Sequence, residues 1–167
     1  MRTETITLYR FDELPTDAAK ERAREWWRSI MDFDGRDELD SIKTFCDYFG
    51  VKLTDWSIGP YCAIEYRTDA ANHHFRGHKL REFSREHMPT GYYLDCSLWM
   101  TFYDVFKKTG DAKDAFDSAL WEAFKDWRTD MEWHLSDESI DESLTMNERS
   151  EEHTSELQSP CNLVCRL

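Results

Sequence analysis

Glycine and proline are scarce in this sequence, with six glycines and four prolines among 167 residues. The glycines are too scattered to form a GxGxxG or a P-loop motif, which excludes a glycine-rich loop that cradles phosphate. We also find no internal repeat and no glycine- or proline-rich linker. The composition therefore predicts one domain rather than a string of modules.

Long apolar runs are missing as well. No stretch approaches the roughly 20 apolar residues that a membrane-spanning helix requires, and the N-terminus lacks a basic, apolar signal segment. The five cysteines include no CxxC pair, a pattern typical of thiols that are kept reduced. These absences predict a cytoplasmic protein without a membrane segment.

Signatures of catalysis are also lacking, because the sequence contains neither GxSxG nor HExxH. The best candidates for metal ligands are four histidines: His73, His74, His78 and His87. Cys62, Cys96 or Asp95 could complete such a site. Histidines between a loop and a helix are more often surface or capping residues. We therefore expect no catalytic residue, no cofactor and no metal, with a metal-dependent hydrolase as an alternative.

Positive charge is in short supply, since 21 Lys and Arg face 34 Asp and Glu and the net charge is −13. This balance argues against direct binding to nucleic acid, which depends on Lys and Arg to displace counterions. An acidic surface does suit a basic protein partner. Seven Trp, seven Tyr and ten Phe predict a packed core rather than a disordered chain.

Apolar residues recur at helical spacing in several segments. Thr16 is a suitable N-cap for a helix that ends near Met31, and Gly50 is a suitable C-terminal stop for the next helix. A long amphipathic helix is predicted over residues 111–134. Ser136 is then placed to cap a final short helix.

β-like patterns occur in four runs: residues 3–10, 51–58, 61–67 and 92–97. The second and third runs predict a hairpin. A short helix is expected before Pro89, and residues 98–108 favour a helix although their pattern is ambiguous. The predicted fold is α+β, with a small antiparallel sheet of about four strands packed against several helices and a long amphipathic C-terminal helix.

Acidic residues are concentrated around the end of the long helix and the start of the last one. The members are Asp126, Asp130, Glu132, Asp137, Glu138, Asp141 and Glu142. Negative charge near a helix C-terminus opposes the helix dipole, so helix stability does not explain this position. We interpret these residues as a candidate partner-binding surface, although a solvated face is the common alternative. Trp27 joins them as a candidate anchor if its indole is exposed.

A different class of function is a small-ligand binder that sequesters a signalling nucleotide. Such a protein needs an aromatic pocket with convergent cationic side chains. The candidate phosphate contacts are Arg67, Arg76, Lys79 and Arg81. This hypothesis stays open beside the protein-binding one.

The last nineteen residues have the character of a translated sequencing adapter. Residues 149–159 read RSEEHTSELQS, which the opening of a widely used short-read adapter encodes, and residues 163–167 match its later constant stretch in the same frame. We expect residues 149–167 to be a disordered, non-native tail that follows a truncated domain over residues 1–148. Its exclusion removes Cys161 and Cys165 as a metal or redox motif. It also leaves a net charge of −12, because the tail holds two of the 21 cations and three of the 34 anions.

Two stretches resemble a group of small phage and prophage proteins labelled antitoxins of toxin–antitoxin stability systems. The first reads YRFDEL over residues 9–14 and DAAKERAREWW over residues 17–27. The second reads WRTDMEW over residues 127–133 and continues to residue 148. Family members then carry a short acidic segment rich in Tyr and Phe, where the adapter-like tail begins here. The resemblance covers both ends of residues 1–148 and implies a phage-encoded, non-enzymatic accessory protein, without assigning binding residues.

These observations together predict a protein of the host-cell cytosol that binds and neutralises a basic protein. The target would be a toxin or a component of host antiviral defence, as for an anti-CRISPR protein. The acidic surface would dock on a basic patch or mimic nucleic acid. The sequence leaves the oligomeric state open.

Overall fold

The computed structural model describes residues 9–31, 33–70 and 88–151, with side chains described up to residue 146. In these ranges the protein is α+β and mostly helical, with five helices and one two-stranded antiparallel sheet. The elements are α1 (Asp17–Ile30), α2 (Arg36–Phe49), β1 (Leu53–Ser57), β2 (Glu65–Thr68), α3 (Tyr93–Thr109), α4 (Ala112–His134) and α5 (Asp137–Glu151). None of these described helices is both long enough and apolar enough to cross a membrane.

The predicted hairpin is confirmed, but the four predicted strands are not supported, because the described residues form two strands. Residues 92–97 do not form a strand, because α3 begins at Tyr93. Leu94, Leu98 and Phe102 are buried at a spacing of four, so the apolar residues follow the helical period through the whole segment. The predicted strand over residues 3–10 and the short helix before Pro89 lie largely outside the described residues.

Several helix ends are where the sequence predicts them. The Thr16 hydroxyl accepts from the backbone N–H of Ala19 at 3.2 Å, and Gly50 ends α2 with a φ of 73°. The hydroxyl of Ser136 accepts from the N–H of Ser139 at 3.3 Å, as expected for an N-cap. α5 is longer than predicted, and its backbone continues through residue 151, beyond the start of the adapter-like tail.

The chain separates into two compact units, one formed by residues up to 32 and from 133 onwards, the other by residues 33–132. In the first unit α1 packs against α5. Its buried apolar residues are Phe11, Leu14, Ala19, Ala23, Ile140 and Leu144, and Trp26 and Trp27 pack on them. The single domain over residues 1–148 stays a prediction.

The core of the second unit is an aromatic cluster contributed by α2, α3 and α4. Phe45 of α2 meets the edge of Trp99 at 5.0 Å between ring centroids and stacks on Phe116 at 5.3 Å. The hairpin packs on α4 through Tyr66, whose ring stacks on Phe124 at 4.8 Å. Three helices and a hairpin therefore share one core.

Candidate functional site

Two adjacent tyrosines mark the start of α3. Tyr92 is the N-cap and Tyr93 the first helical residue, and their ring centroids are 4.7 Å apart. Asp95, fully buried in the first turn, fixes this start because its Oδ2 accepts from the N–H groups of Thr90 and Gly91 at 2.8 and 2.9 Å. The tyrosines are thus presented by a rigid helix terminus.

Carboxylates from two other helices act on these phenols, Glu38 through a hydrogen bond from Tyr92 and Asp37, Asp126 and Asp130 through their charge. We define the acidic tyrosine patch as Asp37 and Glu38 of α2, Tyr92 and Tyr93, and Asp126 and Asp130 of α4. The Tyr92 hydroxyl donates to Glu38 Oε1 at 3.0 Å, and the Ser97 hydroxyl donates to Asp126 Oδ2. All of these residues belong to the second unit.

The pKa values of both phenols are raised first by burial and then by the negative charges of the patch. Burial raises the pKa of Tyr92 to about 12, and the hydrogen bond to Glu38 and the charges of Glu38, Asp130 and Asp37 act in the same direction. Burial also raises the pKa of Tyr93, followed by the charges of Asp130, Glu38 and Asp126. The negative charges that contribute to these raised pKa values also attract cationic groups.

The acidic residues predicted as a partner surface occupy several local environments. Asp126 and Asp130 belong to the acidic tyrosine patch. Glu132 is engaged elsewhere, because its Oε1 accepts from the backbone N–H of Tyr61 at 3.2 Å and lies 3.5 Å from the Nε of Arg128. Tyr61 has a φ of 62°, a left-handed backbone conformation that residues other than glycine rarely adopt. The hydrogen bond to Glu132 helps to stabilise this conformation.

The other four predicted residues lie on α5 in the first unit. Asp141 accepts two hydrogen bonds of 2.7 Å from the guanidinium of Arg24, and Asp137 pairs with Arg28. These two carboxylates are therefore compensated by cations of α1. Glu138 and Glu142 are exposed.

Trp27 does not present a free indole. It is half-buried against the core of the first unit, and its indole nitrogen is buried without a hydrogen-bond partner in the described part of the chain. The large exposed indoles belong instead to Trp56, Trp121 and Trp133. The surface available to an aromatic anchor is thus not the one that the sequence indicates.

Trp56 and Trp121 line an open groove in the second unit, beside the hairpin and α4, with a volume of about 750 Å³. Arg67 lies in this groove together with Asp55, Glu65 and Asp117. Three carboxylates against one guanidinium do not suit a phosphate group, so the groove does not favour the nucleotide hypothesis. Arg76, Lys79 and Arg81 lie outside the described residues.

Metal chemistry finds no support in the described ranges. No group of three or more potential ligands there is arranged to hold a metal ion. Asp95 is buried and accepts from the N–H groups of Thr90 and Gly91, whereas Cys62 and Cys96 are exposed free thiols. The histidines at positions 73, 74, 78 and 87 lie outside the described residues.

Comparison with protein-family models, with curated proteins and with solved structures finds no match to this chain.

Sequence reasoning missed four members of the acidic tyrosine patch. Asp37 and Glu38 look like ordinary first-turn acids that favour the helix dipole. Tyr92 and Tyr93 fall in the strand predicted over residues 92–97, whereas the structure places them at the start of a helix. A helical interpretation of residues 93–109 would have shown Tyr92 beside a capping acid, Asp95, but not the approach of α2 and α4.

Proposed function

We propose that this chain is an acidic, non-enzymatic accessory protein of the kind that phages encode, which binds and neutralises a basic protein target. The target class is a toxin or a component of host antiviral defence. The observation that carries the proposal is the convergence of Asp37, Glu38, Asp126 and Asp130 around Tyr92 and Tyr93.

Geometry supports this patch as the docking surface. Its carboxylates come from α2 and α4, which the aromatic core holds in place, so their charges are organised before a partner arrives. Tyr93 is 38% exposed and offers a rigid aromatic ring among these charges. Tyrosine and a surrounding acidic rim complement a surface of Arg and Lys, where Tyr contributes contact area at low entropic cost.

The first unit offers fewer unpaired carboxylates to a basic partner. Two of its predicted acids are paired with Arg24 and Arg28, and partner cations would have to displace these intramolecular partners. The pairs would be broken at a cost, which reduces any gain from the new contact. We therefore place the docking surface on Asp37, Glu38 and Asp126 rather than on Asp137 and Asp141.

The test compares two triple variants that change the net charge equally. The patch variant is Asp37→Asn, Glu38→Gln and Asp126→Asn. The control variant is Asp12→Asn, Glu25→Gln and Asp114→Asn, which removes three exposed acids outside the patch. Tagged proteins are purified from host cells at low and moderate salt, and bound proteins are identified and quantified by mass spectrometry.

We expect the wild type and the control variant to retain the same basic protein in equal amount. The patch variant should retain at least ten-fold less of it. Retention by the wild type should also fall with salt, because exposed charges are screened within about 10 Å at 0.1 M. Equal retention by all three proteins would refute docking through the patch. Circular dichroism on each variant shows that a loss is not due to unfolding.

A further inference from the structure

The turn between β1 and β2 holds a tyrosine in a strained backbone conformation. The N–H of Cys62 donates to the carbonyl of Gly59 at 3.2 Å, which closes a β-turn with Pro60 and Tyr61 at its two central positions. Tyr61 has a φ of 62°. A turn with a positive φ at its second central position favours glycine or asparagine there, because other side chains are strained. The sequence places a tyrosine at this position instead.

Burial of the Tyr61 side chain does not offset this strain. The side chain is 77% exposed, the largest fraction among the exposed large hydrophobic residues of the described ranges. Strained residues persist where the surrounding structure holds them, and they are concentrated at functional sites. The exposed ring therefore indicates a role outside the fold of this chain.

Two side chains of α4 hold the turn in place. Glu132 Oε1 accepts from the N–H of Tyr61 at 3.2 Å, and the guanidinium of Arg128 donates to the carbonyl of Cys62 at 3.4 Å. Arg128 and Glu132 also pair with each other, with 3.5 Å between Nε and Oε1. The turn thus presents Tyr61 on an ordered backbone, which lowers the entropy lost when a partner binds.

The tip of the hairpin, which we define as residues 58–64, is free of charge. It reads IGPYCAI, without an acidic or basic residue, although 33% of the chain is charged. Tyr61, Cys62 and Ala63 are all exposed. An uncharged turn with a projecting aromatic ring complements a concave apolar pocket, and tyrosine is enriched among the residues that contribute most to binding.

This tip is a different surface from the acidic tyrosine patch. Asp126 and Asp130 of the patch lie one helical turn apart on α4. Arg128 and Glu132, which hold the tip, are each offset from them by two residues, or about 200° around the helix axis. The patch and the tip therefore lie on opposite sides of α4.

We propose that Tyr61 is the anchor by which this chain docks into an apolar pocket of a second protein. The inference does not rest on the proposed function, because the tip and the patch are separate surfaces. A second copy of this chain is a poor partner for the tip. The groove beside the hairpin and a groove at the start of α2 are both lined by carboxylates, namely Asp55, Glu65, Asp117, Asp37 and Asp40.

The experiment places a photoreactive group at the tip of the full chain. Benzoylphenylalanine is incorporated at position 61 and, as a control, at position 133, where the native tryptophan is 48% exposed. Both variants are irradiated in host cells, the crosslinked proteins are identified by mass spectrometry, and the crosslinked peptides are mapped. We expect one protein to be crosslinked from position 61 and not from position 133, through a peptide that lines an apolar pocket.

Variants of Tyr61 then separate an anchor from a residue that only shapes the turn. Tyr61→Asn should keep or raise the midpoint of urea denaturation, because asparagine tolerates a positive φ. The same variant should bind the purified crosslinked protein about ten-fold more weakly, as measured by calorimetry. Tyr61→Phe retains the ring and should keep most of the affinity.

Three results would overturn the assignment. The first is equal crosslinking from positions 61 and 133, or crosslinking from position 61 to a second copy of this chain. The second is an unchanged affinity of Tyr61→Asn for the crosslinked protein. The third is a parallel loss of stability and affinity in Tyr61→Asn, which would mean that the tyrosine holds the turn and not the partner.

Discussion

Gly35 lies against the face of α4 at the indole of Trp127. A Cβ atom added to Gly35 would lie 2.2 Å from Cζ2 of Trp127, and the residue has a φ of +57°. Trp127 also packs against Trp56 of the hairpin. One indole therefore contacts the start of α2 and the hairpin from α4. This junction helps to position α2 and α4, the two helices that carry the carboxylates of the acidic tyrosine patch.

Gly35→Ala should lower the free energy of unfolding by about 3 kcal/mol. About 1 kcal/mol of this comes from a side chain in the left-handed region and about 2 kcal/mol from the overpacking against Trp127. Gly110→Ala is the control, because Gly110 has a φ of +71° but no atom lies within 4 Å of its Cβ position. Urea denaturation should show a loss of only about 1 kcal/mol there. Equal losses in the two variants would mean that the indole moves aside.

Asp141→Asn should destabilise the protein by about 1 kcal/mol, because it removes a charge-assisted pair with two parallel hydrogen bonds. The Arg24 side chain is only 19% exposed, and its two 2.7 Å bonds to Asp141 are shorter than its contacts with Glu21 at 3.1 Å and Asp137 at 3.6 Å. Asp117→Asn removes an exposed partner of Lys113 and should change stability by less than about 0.5 kcal/mol. Both are measured by urea denaturation, and a larger loss for Asp117→Asn would contradict this ranking.

Local chemistry explains which parts of the fold were predictable. Thr16, Gly50 and Ser136 cap their helices through atoms within four residues in sequence, so the sequence alone indicates them. Tyr92 and Tyr93 depend on long-range packing, because only the tertiary fold brings Glu38 and Asp130 to them. The same limit applies to Asp137 and Asp141, whose proximity to Arg24 and Arg28 depends on how α1 meets α5.

Cys46 should resist alkylation in the native protein. Burial raises the pKa of its thiol from 9.0 to about 12, so at pH 8 the thiolate fraction falls from about one in ten to about one in ten thousand. Iodoacetamide followed by peptide mapping should modify the exposed Cys62 and Cys96 first. Unfolding in guanidinium should make the alkylation rates of the three cysteines equal. Modification of Cys46 at the rate of Cys62 in native protein would contradict its burial.

Tyr92→Phe should show a pH-dependent loss of stability, because burial and the neighbouring carboxylates raise the pKa of Tyr92. At pH 8 the variant loses the hydrogen bond to Glu38, which should lower the free energy of unfolding by about 1 kcal/mol. The wild-type contribution is fully present below pH 10.0, the ordinary pKa of tyrosine, and is lost as the pH rises towards about 12.

The sign follows from proton binding. Between these two pH values the unfolded chain has released the phenolic proton while the folded protein retains it, so unfolding becomes more favourable with rising pH. Phenylalanine has no such proton, and the stabilities of wild type and variant should converge in urea titrations from pH 8 to pH 11. The Cys46 thiol titrates in both proteins, so its contribution cancels in the difference between their free energies of unfolding. A gap that stays constant with pH would mean that folding does not raise the pKa of Tyr92.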